Sequence, residues 1–535
     1  MKAPATTTAL PSDSLLLSAD IRRIEAEHAD IDLMRRAGKA AADFLVARTL
    51  PDARIVLLAG PGNNGGDAFA CAAELKASGF SPTVVFIGAP ARLPADAAEA
   101  RLRALDLGVP VADSAAALAD ADWIIDGLFG IGLTRPLRAD YGALVEAISS
   151  GRAAGASVLA LDVPSGIDAD TGALVGKVAV AADHTLTFIA RKPGLLTGPA
   201  LDYVGELHLA SLGLDLSGAT STITAFGLSD ARALMRPARA NAHKGTHGTL
   251  TIVGGTTGML GAALLASRAA MRTGAGKVRV AWLADPHPQV DPLMPEVMMR
   301  AATASGALDD CTALAAGCGM GQSVAAKRLL STALKRDLPL LLDADALNLI
   351  ATSKSLQAQV VSRTSVTVIT PHPTEAARVL GCATVDVQQN RLRAARQLAE
   401  KFHCVAVLKG AGTVVDDGHH ATINATGNPL LATAGTGDVL AGMIGALLAR
   451  GYSAADAARI GVALHGSAAD ALAGLSRVSS TMSIGSDVTA APAPIAATPV
   501  RTVMLAVEKI SAAPMTTPIA QTKPPCKPSR KRASS

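Results

Sequence analysis

Arg54-Ile55-Val56-Leu57-Leu58-Ala59-Gly60-Pro61-Gly62-Asn63-Asn64-Gly65-Gly66-Asp67 is the stretch that decides the fold. Its apolar run, Arg54 to Leu58, has the length and composition of a buried strand. A glycine turn, Gly60 to Asp67, joins that strand to an alanine-rich helix reaching about Ser78. The same alternation spreads in both directions. A helical stretch, Ser18 to Thr49, precedes it. Strand Thr83–Ile87, a helix near 94–107, strand Trp123–Asp126, a helix near 140–150 and strand Ser157–Asp162 follow. Apolar segments His184–Ala190 and Gly205–Leu209 close this half. Strands alternating with helices imply a parallel sheet covered on both faces, a Rossmann-like three-layer domain.

Periodicity fades over Gly213 to Thr222, which is rich in Gly and Ser, and we place a connector at 216–235 between domains at 10–215 and 236–500. The second series is again α/β. It runs through strand Thr249–Gly254, a helix at 261–273, strands Lys277–Leu283, Pro339–Asp343 and Ser365–Ile369, a helix at 388–402, strand Cys404–Leu408 and a helix after Gly437. Residues 511–535 read as a disordered basic tail.

Bulk composition fits this division. A chain of 535 residues is too long for one core. Apolar residues make up 49% and aromatics 2%, so the cores rely on many small side chains. The net charge of +4 comes from Lys523, Lys527, Arg530, Lys531 and Arg532 in the tail, and the rest of the chain carries −1. That balance leaves no nucleic-acid footprint. No uninterrupted apolar run has the roughly 20 residues of a bilayer span. The nearest, Leu430 to Ala449, is glycine-rich and carries Asp438. The N-terminus has only a three-leucine run, too short for a signal-peptide core, so a cytoplasmic location is expected. Six cysteines, at 71, 311, 318, 382, 404 and 526, form no CxxC pair, and no histidine pair joins them at zinc spacing.

Ligands in such sheets gather beyond the carboxyl ends of strands. In the second half, Ala434-Gly435-Thr436-Gly437-Asp438 opens an apolar helix. Its glycines let backbone N–H groups approach an anion, and the helix terminus favours phosphate. An aspartate there suits accepting a proton from a hydroxyl that attacks a phosphoryl group; alternatively it caps the helix. Lys409-Gly410-Ala411-Gly412-Thr413 supplies a cation and two flexible positions after a strand, as a nucleotide site or a plain turn. Thr370-Pro371-His372-Pro373-Thr374-Glu375 sets His372 at a sheet edge. Asp343 and Asp345 lie beyond another strand, where they could hold Mg²⁺ through water or cap the next helix. In the first half, Asn63–Asp67, Asp126-Gly127-Leu128-Phe129-Gly130-Ile131-Gly132 and Asp162-Val163-Pro164-Ser165-Gly166-Ile167-Asp168 follow three strands. Their side-chain oxygens suit a hard cation. Each alone could be an Asx-turn.

The second set resembles the ribokinase-like superfamily, in which a GxGD loop forms an anion hole and its Asp is the base. With His243–Gly248, Thr370–Glu375, Leu408–Thr413 and Gly435–Gly442 the likeness narrows to the ADP/ATP-dependent NAD(P)H-hydrate dehydratase. The first set, with Phe188–Gly194, resembles the NAD(P)H-hydrate epimerase domain. Over roughly 15–475 the motifs follow the order of the bifunctional NAD(P)H-hydrate repair enzyme family. A ribokinase-like small-molecule kinase with an N-terminal regulatory or ligand-binding domain is the alternative.

The resemblance implies an isomerase and a lyase acting on NADH and NADPH hydrates, with ADP or ATP as co-substrate. It implies K⁺ in the epimerase half, at Asn64, Asp126 and Ser165, and Mg²⁺ in the dehydratase half. Asn63, Asn64, Gly65, Gly66, Asp67, Gly130, Ile131, Gly132, Leu133, Thr134, Arg135 and Pro136 would line the epimerase pocket, with Asp162 as acid/base and Lys192 as a second candidate. Ala262, Gly319, His372 and Asp438 would meet the hydrate in the dehydratase. Lys409, Gly410, Ala411, Gly412, Thr413 and Gly437 would meet the nucleotide, and Asp438 would act as the base. No membrane or nucleic-acid partner is implied, and family members often assemble, which leaves a homo-oligomer open. Two departures stand out: Gly317-Cys318-Gly319-Met320-Gly321 where the family has G-P-G-x-G, and Leu430 where a small residue is usual.

Overall fold

A computed structural model of the chain describes residues 13–481 except 113, 217, 218 and 238, with side chains through 473. The basic tail, the end of the second domain near 500 and Cys526 lie outside the described residues.

The first sheet has seven parallel strands: β1 (Ile55–Ala59), β2 (Thr83–Phe86), β3 (Val111–Ala112), β4 (Trp123–Gly127), β5 (Ser157–Leu161), β6 (His184–Phe188) and β7 (Glu206–Ala210). Their order is β3-β2-β1-β4-β5-β6-β7. The direction of winding reverses between β1 and β4, so a crevice opens beyond their carboxyl ends. All five residues of β1 and of β4 are buried, which explains their continuous apolar runs. Helix Asn63–Ala77 packs against helix Leu33–Val46 at very close range. A Cβ on Gly38 would sit 2.4 Å from the Ala70 Cβ, so glycine is needed at that crossing. Phe69, fully buried, contributes roughly 1.5–3 kcal/mol to this core.

The second sheet has ten strands: β8 (Ile223–Phe226), β9 (Thr249–Gly254), β10 (Lys277–Trp282), β11 (Met298–Ala301), β12 (Ala313–Ala316), β13 (Leu340–Leu342), β14 (Thr367–Ile369), β15 (Val405–Leu408), β16 (Val414–Asp416) and β17 (Ala421–Asn424). The order is β11-β10-β9-β12-β13-β14-β15-β16-β17-β8. It is parallel from β11 to β15 and antiparallel on both sides of β16. Here the winding reverses between β9 and β12.

Three sequence expectations are corrected. The helical stretch expected over 18–49 is not continuous but two helices, Ser18–Glu27 and Leu33–Val46, because the Asp32 carboxylate accepts from Arg35 N at 2.9 Å and starts the second. The helix expected at 388–402 begins at Arg391, where Asn390 caps it through Arg393 N at 2.9 Å. Residues 216–235, expected as a connector, contain β8 and helix Leu228–Leu234, and β8 pairs with β17 inside the second sheet. The chain's start also reaches that strand: Leu15 N donates to Ile223 O at 2.9 Å, and Ala225 N to Asp13 O at 2.8 Å.

Candidate active sites

In the first half, the loops after β1, β4, β5 and β6 enclose a cavity of about 490 Å³ at the reversal point. Asn63, Asn64, Asp67, Gly130, Ile131, Gly132, Leu133 and Asp162 all line it. Gly65, Gly66, Thr134, Arg135 and Pro136 do not. Gly65 and Gly66 serve the close approach of the helix instead; a Cβ on Gly65 would lie 2.0 Å from Gly60 O. Pro136 packs under Gly176.

Asp162 has φ of 63° and Ile189, also at the wall, has φ of 66°. Left-handed backbone is uncommon for aspartate and strained for isoleucine. The turns aim the ends of β5 and β6 at the cavity. Asp162 Oδ1 accepts from Phe188 N at 3.2 Å and from the Lys192 ammonium. Lys192 is fully buried and also donates to Thr187 Oγ1 at 2.9 Å and Phe188 O at 2.7 Å. A Cβ on Gly130 would lie 3.3 Å from Asp162 Oδ2 and 3.4 Å from Asn64 Oδ1. The absence of a side chain there keeps the space between these groups open.

Asn64, Asp126 and Ser165 meet beneath the same loops. Asp126 is fully buried. Its oxygens accept from Ser165 Oγ at 2.7 Å, Ser165 N at 2.8 Å and Leu128 N at 3.1 Å. Burial pushes its pKa up to about 6, against the pull of those hydrogen bonds. Both polar atoms of the buried Asn64 side chain lack a partner among the described residues. An orphaned amide oxygen, a buried carboxylate and a hydroxyl on neighbouring loops are oxygen donors of the kind that fit a hard cation.

Glu25 and Arg22 escaped the sequence reading. Both line the cavity, and Arg22 donates to Ile131 O at 3.1 Å, which ties down the Gly130–Leu133 loop. Desolvation and the neighbouring Asp162 raise the pKa values of Glu25 and of Asp67. On sequence alone they are charged positions of a helix, indistinguishable from a solvated face. A second cavity, about 690 Å³, adjoins this one and shares Glu25, Asn63 and Asp67.

In the second half, the loops after β9 and β12 interlock. Gly255 N donates to Cys318 O at 3.1 Å and Thr256 N to Gly319 O at 2.7 Å. A Cβ on Gly319 would lie 3.0 Å from the Ala262 Cβ, so these two expected substrate contacts are neighbours. Asp438 stands in the first turn of helix Thr436–Ala449, after Gly435 in the left-handed conformation. Burial and the Asp343 carboxylate push its pKa up to about 6, while a hydrogen bond from the Cys318 thiol pulls it down. Lys409 Nζ donates to Asp343 Oδ1 at 2.7 Å, lies 4.0 Å from Glu375 Oε2, and would be 3.4 Å from a Cβ on Gly437. Burial works to discharge this lysine, but the Asp343 and Glu375 carboxylates hold its pKa above the ordinary value. It is therefore charged beside the helix terminus.

His372 is the cap of helix Pro373–Leu380. Its Nδ1 accepts from Thr374 N at 3.1 Å, and Nε2 lies 3.3 Å from Glu375 Oε1. Burial and then Lys409 lower its pKa, so the ring is neutral with Nε2 carrying the proton. Asp345 Oδ2 accepts from Gly321 N at 2.8 Å. Cys318 takes the place of proline without opening the loop; it is buried against Asp438 and Asp343. Leu430 is 39% exposed, so its bulk is taken by solvent-facing space.

Loop Lys409–Thr413 rests on the first half. Gly198 N donates to Ala411 O at 3.0 Å and Thr197 Oγ1 to Gly412 O at 2.7 Å. Gly412 has φ of 59°, and a Cβ there would lie 2.0 Å from Leu196 O. Only glycine fits this contact.

The topology and the two loop sets define a two-domain α/β enzyme with a Rossmann-like first half and a ribokinase-like second half. Residues 250–486 match the family model for NAD(P)H-hydrate dehydratase, and residues 30–194 match that for the YjeF-related protein N-terminus. The chain is 42% identical over 472 residues to the bifunctional NAD(P)H-hydrate repair enzyme Nnr of Escherichia coli (strain K12), covering 85% of this chain and 88% of that one. It is 40% identical over 456 residues to the enzyme of the same name from Coxiella burnetii, covering 84% and 91%. The chain belongs to the family of bifunctional NAD(P)H-hydrate repair enzymes. Among solved structures it is similar to an ADP/ATP-dependent NAD(P)H-hydrate dehydratase from Bacillus subtilis co-crystallised with ATP/Mg²⁺, at 29% identity and a TM-score of 0.45 over 54% of this chain and 98% of that one. No helix among the described residues is long and apolar enough to cross a membrane.

Proposed function

We propose that this chain repairs hydrated NADH and NADPH. Its first half interconverts the R and S hydrates. Its second half dehydrates the S form to NAD(P)H with ADP or ATP, releasing AMP or ADP and phosphate. The observation that carries this reading is Asp438, a half-buried carboxylate at a helix amino end beside a charged lysine. A carboxylate is repelled by phosphate and belongs there only if it handles a proton.

Hydroxide is a poor leaving group. Asp438 accepts the proton of the hydrate hydroxyl as its oxygen attacks the terminal phosphoryl group. The N–H groups of Gly435–Gly437 stabilise the charge on the transferring group. Lys409 and Gly410–Thr413 hold the nucleotide. Ala262, Gly319 and His372 orient the hydrate. The ring C–O bond then breaks, phosphate leaves with its electron pair, and loss of a ring proton restores the double bond. In the first half Asp162 acts as acid and base, held in place by Lys192 and by the turn at φ 63°. Asn63, Asn64, Asp67 and Gly130–Leu133 supply the pocket around it, with Gly65, Gly66, Thr134, Arg135 and Pro136 acting from behind the wall. K⁺ suits Asn64, Asp126 and Ser165, where it would neutralise the buried carboxylate and fix the loops. Mg²⁺ suits the Asp343 and Asp345 carboxylates, where it would offset phosphate charge. The cytoplasm is the compartment this reading favours.

The test is to incubate the protein with mixed NADH hydrate epimers and K⁺, adding ADP or ATP in parallel. Full recovery of NADH from both epimers is expected. No recovery with either nucleotide overturns the dehydratase reading. Recovery from the S form alone overturns the epimerase reading.

A further inference from the structure

The amino ends of β6 and β7, at the opposite edge of the sheet from the cavity, hold three side chains that neither activity uses. His184 stands beside Glu206 in the strand pairing, and His208 lies two residues further along β7. Side chains of one face recur every second residue, so all three project from the same face. His184 Nδ1 and His208 Nε2 are 3.2 Å apart. Glu206 Oε2 lies 3.6 Å from the first and 3.8 Å from the second.

The nearest point equidistant from three atoms with those separations, in their common plane, is about 2.1 Å from each, close to Zn–N distances of about 2.0–2.1 Å and Zn–O of about 2.0–2.2 Å. Hydrogen bonding accounts for less of the arrangement. One imidazole N–H shared between the two histidines explains their contact. It leaves the carboxylate too far from either nitrogen for a hydrogen bond. A cation at the centre satisfies all three atoms at once.

The rings are also held in position. The Phe44 ring lies 5.4 Å from that of His184 and 4.9 Å from that of His208, and Trp123 stacks on His184 at 6.0 Å. Aromatic residues are 2% of this chain, so two of them on one histidine pair is a concentrated investment in fixing those rings. Both histidines are about one-fifth exposed and Glu206 is 69% exposed, which leaves an open path and a free position for water. Arg48, stacked on Phe44 at 3.7 Å, disfavours positive charge on His208, and Glu206 offsets it.

We propose that His184, His208 and Glu206 form a binding site for one divalent transition-metal ion of the Zn²⁺ class. Two imidazoles and one carboxylate favour such ions over Mg²⁺ or K⁺. Bound there, the ion ties the edge strand β7 to β6.

The test uses the full chain, stripped with a chelator and titrated with Co²⁺ by visible absorption and with Zn²⁺ by calorimetry. One tightly held ion is expected, with no thiolate-to-cobalt band, and Zn²⁺ should displace Co²⁺ and raise the melting temperature. His208→Ala and Glu206→Gln should each weaken Zn²⁺ binding by at least about tenfold. Cys318→Ala should leave it unchanged, because Cys318, Asp343 and Asp438, the other ligand-like group among the described residues, are a separate cluster. Absence of Zn²⁺ binding by the wild type, or equal affinity in Glu206→Gln, overturns the proposal. Glu206 is a surface residue, so that variant remains informative if His208→Ala does not fold.

Discussion

Arg391 Nε donates to Thr197 Oγ1 at 3.0 Å across the boundary between the two halves. The same guanidinium reaches Leu408 O at 3.1 Å, Lys409 O at 3.2 Å and Gln388 Oε1 at 2.7 Å. It is buried with no carboxylate partner among the described residues, and burial lowers its pKa to about 10. It holds the carbonyls of Leu408 and Lys409, at the start of the loop proposed to bind the nucleotide, against the first half.

Replacing Arg391 by Met should therefore act on the nucleotide. Each buried carbonyl left unmatched costs about 1–3 kcal/mol. The KM for ADP or ATP should rise about tenfold or more, while the epimerisation rate stays near that of the wild type. Steady-state kinetics of both reactions decide this. An unchanged nucleotide KM would mean that the loop holds its shape without the first half.

As the base proposed above, Asp438 would act only when ionised, and burial with the nearby Asp343 carboxylate pushes its pKa up to about 6. The dehydration rate should rise with pH through about 6 and then level off. Below that value the carboxyl is protonated and cannot accept the hydroxyl proton. Asp438→Asn should lower dehydration by roughly 10²–10⁴-fold and leave epimerisation intact. Loss of both activities would contradict independent sites.

Cys318 tunes that titration. Its thiol lowers the Asp438 pKa through a hydrogen bond. Cys318→Ala should shift the acid limb of the dehydration profile to higher pH and preserve the plateau. A fall in the plateau with no shift would assign the thiol a packing role alone.

Replacing K⁺ by a bulky organic cation should slow epimerisation and spare dehydration of the S hydrate. Asn64→Leu should remove the K⁺ response, since it deletes the orphaned amide. Equal epimerisation rates with and without K⁺ would take Asn64, Asp126 and Ser165 out of ion binding.

Much of this was legible in the sequence, and the exceptions have physical causes. Thr249–Gly254 was readable because a buried parallel strand is a continuous apolar run before glycine. Ala313–Ala316 was not: it reads ALAA, is buried throughout, and lacks the alternation or β-branching that marks a strand. The loop behind it was still visible through its glycines. Glu25 and Arg22 were hidden because only the docking of the first helix over the crevice makes them part of a wall. Glu206 and His208 were not singled out, because only the pairing of β7 with β6 brings them beside His184. Conversely, Gly65 and Gly66 looked like ligand contacts and serve packing, since glycine answers both needs with the same residue.

The position of β8 has a bearing on how this protein can be divided. The matched dehydratase region begins at residue 250, yet the outermost strand of its sheet is residues 223–226, and residues 13–15 hydrogen-bond to that strand in turn. A fragment cut at 236 or 250 would strip β17 of its neighbour and bare a row of unpaired amides and carbonyls, inviting self-association. The seam between the two halves is thus woven from three distant parts of the chain, and a clean separation has to begin before residue 223 and supply a substitute for the first few residues as well.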